Sequence, residues 1–169
     1  MLNHFLPDIY LHELSQITPE LLLSLGVRGL CMDIDNTIVT YDDPEPTESA
    51  RAWFDAIAAA GIKVSFISNN DHARVELFNR TLGYPAYAKA GKPFVKYIKK
   101  AVADMGLTPG ECAFIGDQIF TDVWAGRRAG LSKCLLVDPI KDKTTLFFKS
   151  KRLLEIPLKK IYYKRKNKR

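Results

Sequence analysis

The stretch Leu30-Cys31-Met32-Asp33-Ile34-Asp35-Asn36-Thr37 decides the fold of this chain. It closes an apolar run from Val27 to Met32, broken only by Arg28 and Gly29, and it stops at two aspartates two residues apart. A sheet core has no use for carboxylates, so a buried strand that ends on them points to a site. Side chains at i and i+2 of an extended chain share a direction, which would aim Asp33 and Asp35 at one small volume beyond the strand end. Two carboxylates so placed repel unless a cation or a shared proton lies between them. A divalent metal satisfies both, and hard oxygen ligands suit magnesium. The competing explanation is turn chemistry, since Asp-Asn pairs start turns well. The rest of the chain separates the two.

Downstream, Ile38 to Pro46 is rich in Asp and Pro and reads as a loop. Thr47 caps a helix whose Ala50, Trp53, Phe54, Ile57 and Ala58 form an apolar stripe, closed by Gly61. Ile62 to Ile67 is a second strand and stops at Ser68-Asn69-Asn70; Asn70 then caps a helix from Asp71 to Leu82. Tyr84 to Ala88 reads as a short strand, Gly91-Lys92-Pro93 as a turn, and Phe94 to Met105 as a helix. The strand Cys112 to Ile115 stops at Gly116-Asp117, a helix spans Phe120 to Ala129, and Cys134 to Val137 is a last strand ending at Asp138. Strands alternate with helices, and the strands are continuously apolar. This pattern predicts the α/β class, as a Rossmann-like three-layer αβα sandwich with a mostly parallel sheet. Ligands of such sheets bind beyond the carboxyl ends of the strands. The unusual polar residues Asp33, Asp35, Ser68, Asn69, Asp117 and Asp122 all fall there, which favours the site over the turn.

Upstream, Phe5, Leu6, Ile9, Leu11 and Leu14 are spaced for one stripe of a short helix. Thr18-Pro19-Glu20 starts another, with Thr18 as N-cap, and its Leu21 to Leu25 run ends at Gly26. Residues 1–28 are thus expected as a helical cover on a single domain spanning 1–138, followed by a C-terminal tail, 139–169.

The 169 residues suffice for one domain with a proper core. No run of about 18 uncharged apolar residues offers a membrane span, and no basic, apolar and small-residue series opens the chain as a secretion signal. The cysteines (Cys31, Cys112, Cys134) lie in strand-like runs and read as buried hydrophobes of a reducing, cytoplasmic compartment. The net charge of +6 hides an asymmetry: from Lys141 onward twelve Lys and Arg face only Asp142 and Glu155, a net of +10, which leaves the rest at −4. The basicity belongs to the tail.

The strand-end residues supply what phosphoryl transfer needs. Asp33 would be the nucleophile, forming an aspartyl-phosphate, and Asp35 the general acid for the leaving oxygen and then the base for water. The Ser68 hydroxyl with neighbouring amides would hold phosphate, Lys92 would supply positive charge, and Asp117 and Asp122 would complete the metal site. Taken alone, Ser68 reads as a helix-entry residue and Lys92 as a solvated turn lysine. Asp42, Asp43, His4, His12 and His72 fall outside this pattern.

Asp33-Ile34-Asp35-Asn36-Thr37, Ser68, Lys92 and Gly116-Asp117-Gln118-Ile119-Phe120-Thr121-Asp122 resemble, in order, the four motifs of haloacid-dehalogenase-type phosphatases over roughly residues 27–138. The resemblance implies that Asp35 also offers magnesium its backbone carbonyl, and that Thr37 and Asn69 help frame the phosphate site. An aspartate at the second acid position is the family's mark of a phosphatase, so hydrolysis of a phosphate monoester is expected.

Many members of that family carry a lid after the first motif or between the second and third. Here 31 residues separate Thr37 from Ser68 and 24 separate Ser68 from Lys92, each interval filled by one helix and one strand. No cap domain is therefore expected. An open site suits phosphate on something large, such as a lipid head group, protein or nucleic acid. Within the family the layout resembles the capless phosphatidylglycerophosphate phosphatase-like branch (subclass IIIA), on Leu6-Pro7-Asp8, the Asp-Asn-Thr form of motif one and Lys92-Pro93. The tail mixes Leu146, Phe147, Phe148, Leu153, Leu154, Ile156, Leu158 and Ile161 with cations and with Tyr162-Tyr163. Three readings of it stand side by side: a peripheral contact with anionic lipid at the inner face of a membrane, a salt-sensitive grip on nucleic acid, or a helix packed on the body with a solvated basic end. Pro157 is expected to break any single long helix.

Overall fold

The structure, a computed structural model, describes residues 2–141 and 146–166, with the side chains of residues 2 and 146–152 set aside. The described elements run β1 (Ile9–Leu11), α1 (Pro19–Ser24), β2 (Gly29–Met32), α2 (Glu48–Ala59), β3 (Lys63–Ile67), α3 (His72–Asn79), β4 (Ala86–Tyr87), α4 (Lys96–Asp104), β5 (Cys112–Gly116), α5 (Trp124–Ala129), β6 (Lys133–Val137) and α6 (Leu146–Lys166). All six strands are parallel in one sheet, ordered β1-β6-β5-β2-β3-β4. Every residue of β2 and β5 is buried, as expected for central strands covered on both faces. On one face Leu22 of α1, Phe54 and Ile57 of α2, and Val75 and Phe78 of α3 pack with Leu30, Met32 and Phe66. On the other, Ile98 and Val102 of α4, Ala125 of α5, and Leu158 and Tyr162 of α6 pack with Cys31, Phe114 and Cys134. The result is the expected three-layer αβα arrangement. Successive strands step outward from β2 in both directions, so the order reverses between β2 and β5, where such sheets open a crevice at their carboxyl edge.

One helix each fills the β2–β3 and β3–β4 connections, and no inserted domain occurs among the described residues. No helix among them is long and apolar enough to cross a membrane.

Three local expectations are corrected. The N-terminal segment forms a 3₁₀ turn at Leu2–Phe5 and then strand β1, where a helix is predicted over residues 5–14. Ile9 and Leu11 fit a two-residue period as well as a helical stripe, and the open edge of β6 decides between them. Asp8 donates its backbone N–H to the Cys134 carbonyl (2.8 Å) and accepts the Cys134 N–H on Oδ2 (2.7 Å), which draws the chain onto that edge. The cap of α3 is Asp71, which accepts the Arg74 N–H at 2.9 Å, in place of Asn70. Finally, α6 runs unbroken through Pro157. Proline removes one helical donor, but contacts to the body on both sides of it, at Glu155 and at Leu158, Lys159 and Tyr162, hold the helix in line. The tail's Leu146, Phe147 and Phe148 side chains lie outside the described set. Among the rest, Leu153 and Leu154 are exposed together with Ile156 and Tyr163.

Candidate active site

The site forms where β2, β3 and β5 end. The Asp33 amide continues the sheet ladder by donating to the Ile115 carbonyl of β5 at 3.0 Å, which places Asp33 directly beside the Gly116-Asp117 end of that strand. Carboxylate oxygens of Asp33, Asp117 and Asp122, all three residues buried, lie within 4.8 Å of one another. Lys92 enters from the β4–α4 connection, and its Nζ sits 2.6 Å from Asp33 Oδ1 and 2.7 Å from Asp122 Oδ1, 5.3 Å from the centre of the Phe114 ring.

The electrostatics follow from this packing. Burial pushes the Asp33 carboxyl up, Lys92 pulls it down, and the charges of Asp122 and Asp35 push it up again, leaving it at about 7. Burial by itself would depress Lys92, but Asp122 and Asp33 outweigh it and hold the ammonium above its ordinary range. A buried lysine that stays charged between two carboxylates is a fixed cation. Tyr41, half-buried on the loop after β2, is raised by burial and then by Asp33, Asp117, Asp35 and Asp122, so it belongs to the same electrostatic neighbourhood.

The loop carrying Asp117 and Asp122 is shaped by close approach. A side chain at Gly116 would collide with Cβ and Cγ of Asp122, so only glycine lets the two segments meet. Ile119–Val123 forms a wide π-type turn in place of the first part of the predicted 120–129 helix. At its cap position the Gln118 N–H donates to Asp122 Oδ2 at 3.0 Å. Asp122 is therefore oriented through both oxygens, one by this amide and one by Lys92.

Asp35 differs from its predicted geometry. Its carboxylate is outside the three-aspartate cluster and is held instead by Arg74 of α3, with Nε and Nη2 at 3.0 and 2.8 Å from Oδ1, and by the Asn70 side-chain amide at 3.1 Å from Oδ2. Strand β2 ends at Met32, before either aspartate, and the chain then turns: the Ile34 carbonyl accepts the Thr37 N–H at 3.2 Å, and Asn36 takes a left-handed conformation (φ 65°). The i, i+2 argument thus fails at Asp35, and the partners that complete the carboxylate cluster come from β5 and the turn after it. Arg74 went unnoticed in the sequence. It also donates to the Thr40 and Pro44 carbonyls, at 3.3 and 3.1 Å, and so staples the loop after β2 to the wall of the site.

Ser68 is buried at the end of β3, with its Oγ accepting the Asn70 N–H at 3.0 Å, which leaves the hydroxyl hydrogen for a ligand oxygen. Asn69, predicted to touch phosphate, spends its side chain on the Lys92 backbone: Oδ1 accepts the Lys92 N–H (2.7 Å) and Nδ2 donates to the Lys92 carbonyl (3.2 Å). It holds Lys92 in place. The Thr37 hydroxyl is buried with no partner among the described residues, as a group kept for a ligand would be. Asp42 pairs with Lys141 and Asp43 caps Thr40; both are loop residues, as expected. His12 pairs with Asp138, away from the cluster.

Residues 20–130 match the haloacid dehalogenase-like hydrolase family. The chain is 43% identical, over 133 residues (79% of this chain and 77% of the relative), to "Probable phosphatase YqeG" of Bacillus subtilis (strain 168). Among solved structures it resembles a putative 3-deoxy-D-manno-octulosonate 8-phosphate phosphatase of Vibrio cholerae, with a TM-score of 0.56 and 16% identity over 76% of this chain and 74% of that one. The cobalt-bound deoxy-D-mannose-octulosonate 8-phosphate phosphatase of Haemophilus influenzae gives 0.52 and 15%, with 75% of each chain covered. At such identities these two speak for the fold alone. The family match, covering most of the chain and all four segments that build the site, is decisive: this chain belongs to the haloacid dehalogenase-like hydrolases.

Proposed function

We propose that this hydrolase is a magnesium-dependent phosphomonoesterase that works through an aspartyl-phosphate on Asp33. The observation that carries the proposal is the Lys92 ammonium seated between Asp33 and Asp122, with Asp117 in the same cluster. This is a fixed cation beside a carboxylate nucleophile, and the buried oxygen donors are of the kind that suits a small hard cation. The cluster fits such an ion: Asp33, Asp117 and Asp122, with the Asp35 carbonyl, would hold it. When bound, the ion offsets the repulsion between Asp33 and the incoming phosphate.

Asp33 Oδ2, the oxygen outside the Lys92 pair, attacks phosphorus, and Asp35 gives a proton to the departing oxygen. Asp35 then takes a proton from the water that cleaves the acyl phosphate, which returns Asp33 to a carboxylate. Lys92, the Ser68 hydroxyl and the Thr37 hydroxyl hold the oxygens of the transferring group. Arg74 and Asn70 aim Asp35.

The substrate we assign is a large or lipid-linked phosphate such as phosphatidylglycerophosphate, with peripheral attachment at the inner face of a membrane. Several observations favour it. No cap domain occurs among the described residues, and Phe94, two residues after Lys92, is 69% exposed. Ile140, whose N–H bonds the Asn36 carbonyl, is also exposed. The outer side of α6 sets exposed Leu153, Leu154 and Ile156 among basic residues, as interfacial helices do.

The test is phosphate release with magnesium from phosphatidylglycerophosphate in mixed micelles and from a panel of soluble esters, for wild type and Asp33→Asn. Strong preference for the lipid is expected, with a loss of about 10³-fold or more in the variant. Full activity in Asp33→Asn would sink the mechanism. Weak, indiscriminate hydrolysis would sink the lipid assignment and turn the search to protein or nucleic-acid phosphates.

A further inference from the structure

Glu155 is the one acidic residue of α6, against eight Lys and Arg between Leu146 and Lys166. It is also the most deeply buried described residue of that helix, 2% exposed. A lone buried carboxylate on a basic helix calls for a specific partner. It has one in the active-site loop: Glu155 Oε1 accepts the backbone N–H of Ile119 at 2.7 Å. Glu155, Leu158 and Tyr162 follow a three- and four-residue spacing and form the stripe by which α6 packs on the body.

The position of that bond matters. Ile119 opens the turn that bears Asp122, and the first amides of a helical segment have no partner within it. Gln118 in the cap position supplies no side-chain bond. Two consecutive amides of this loop are thus satisfied by carboxylates, Gln118 by Asp122 Oδ2 and Ile119 by Glu155 Oε1. With Glu155 in place, Asp122 needs to serve only one of them, and its other oxygen stays with Lys92 and the carboxylate cluster. Removing Glu155 leaves a buried donor beside Asp122 that only rearrangement of the turn can satisfy.

We infer that Glu155 is a positioning residue: from the C-terminal helix it caps the Ile119–Val123 turn and thereby holds Asp122 in the metal-binding and catalytic cluster. The inference rests on the metal reading proposed above. It makes α6, which lies beyond the family match, part of the active site's support.

Direct binding of Mn²⁺, followed by electron paramagnetic resonance on the full chain, tests it without turnover. Glu155→Met keeps the buried volume and removes the acceptor; it should weaken Mn²⁺ binding by about tenfold or more, the scale on which partners of metal ligands act. Glu155→Gln keeps a carbonyl acceptor and should stay close to wild type. Leu158→Ala loosens the same helix but keeps the carboxylate acceptor of the Ile119 amide, and should lower stability but leave Mn²⁺ affinity alone. In parallel, hydrogen exchange at the Ile119 amide should accelerate in Glu155→Met and not in Glu155→Gln. Equal Mn²⁺ affinity in wild type and a folded Glu155→Met would overturn the inference, as would equal weakening by Leu158→Ala. A wild-type chain that binds no Mn²⁺ would instead bring down the metal reading itself, and this inference with it.

Discussion

Asp33 shows how much chemistry a single residue inherits from its surroundings. The sequence places it at a strand end; its proton affinity comes from burial, Lys92 and Asp122, residues 59 and 89 positions away. Gly116 and Arg74 are equally telling. Gly116→Ala pushes a methyl group into Asp122, and we expect a loss of about 1–3 kcal/mol in stability, typical of overpacking, with activity falling further than stability because the displaced group is Asp122 itself. Denaturant unfolding and aryl phosphatase assays on the one variant would show both. Arg74→Ala releases Asp35 from its bond to the guanidinium. There kcat should fall by about tenfold or more, a part of what acid–base catalysis contributes, while KM for a small aryl phosphate changes little. A raised KM with kcat intact would assign Arg74 to substrate binding instead.

At the scale of elements, the joining of β1 and α6 to the body is the feature that local patterns do not announce. β1 is an edge strand, and the Tyr10 N–H donates to the Tyr162 hydroxyl of α6 at 3.0 Å, so the helix covers part of the edge. Lys159 adds a bond to the Tyr10 hydroxyl at 2.7 Å, and Asp138 at the end of β6 accepts from that hydroxyl as well. Tyr162→Phe removes only the acceptor for the Tyr10 amide. It should cost about 1 kcal/mol, the net worth of one hydrogen bond, read as a lower denaturant midpoint with an unchanged slope. A variant as stable as wild type would show that water serves Tyr10 equally well and that the edge needs no cover.

At the scale of the molecule, a proton and the proposed metal ion would compete for one cluster. The raised Asp33 carboxyl means that the metal-free fold binds this proton more tightly than the unfolded chain does. Its contribution to stability is therefore complete below the ordinary carboxylate range, near pH 4, and is lost as the pH rises through about 7. A bound divalent ion favours the ionised form and reverses that loss. The gain in melting temperature on adding magnesium should accordingly be small at pH 5 and larger at pH 7.5, and Asp33→Asn should flatten the difference. A magnesium effect independent of pH would separate Asp33 from the ion.

The sequence by itself determined the α/β class, the five segments that became strands β2 to β6, and the candidates Asp33, Asp117, Asp122, Ser68 and Lys92. These are legible because continuous apolar runs that stop at polar residues are local facts, written within a few consecutive positions. Only the tertiary structure decided that residues 9–11 are a strand, since Ile9 and Leu11 suit either period and the open edge of β6 chooses. It decided that Asp35 turns to Arg74, 39 residues on, and away from the aspartate cluster. It decided, too, that α6 continues through Pro157 and sends Glu155 to Ile119, 36 residues back. Each of these depends on a partner brought near by the closed sheet, where packing outweighs the local preference of the chain.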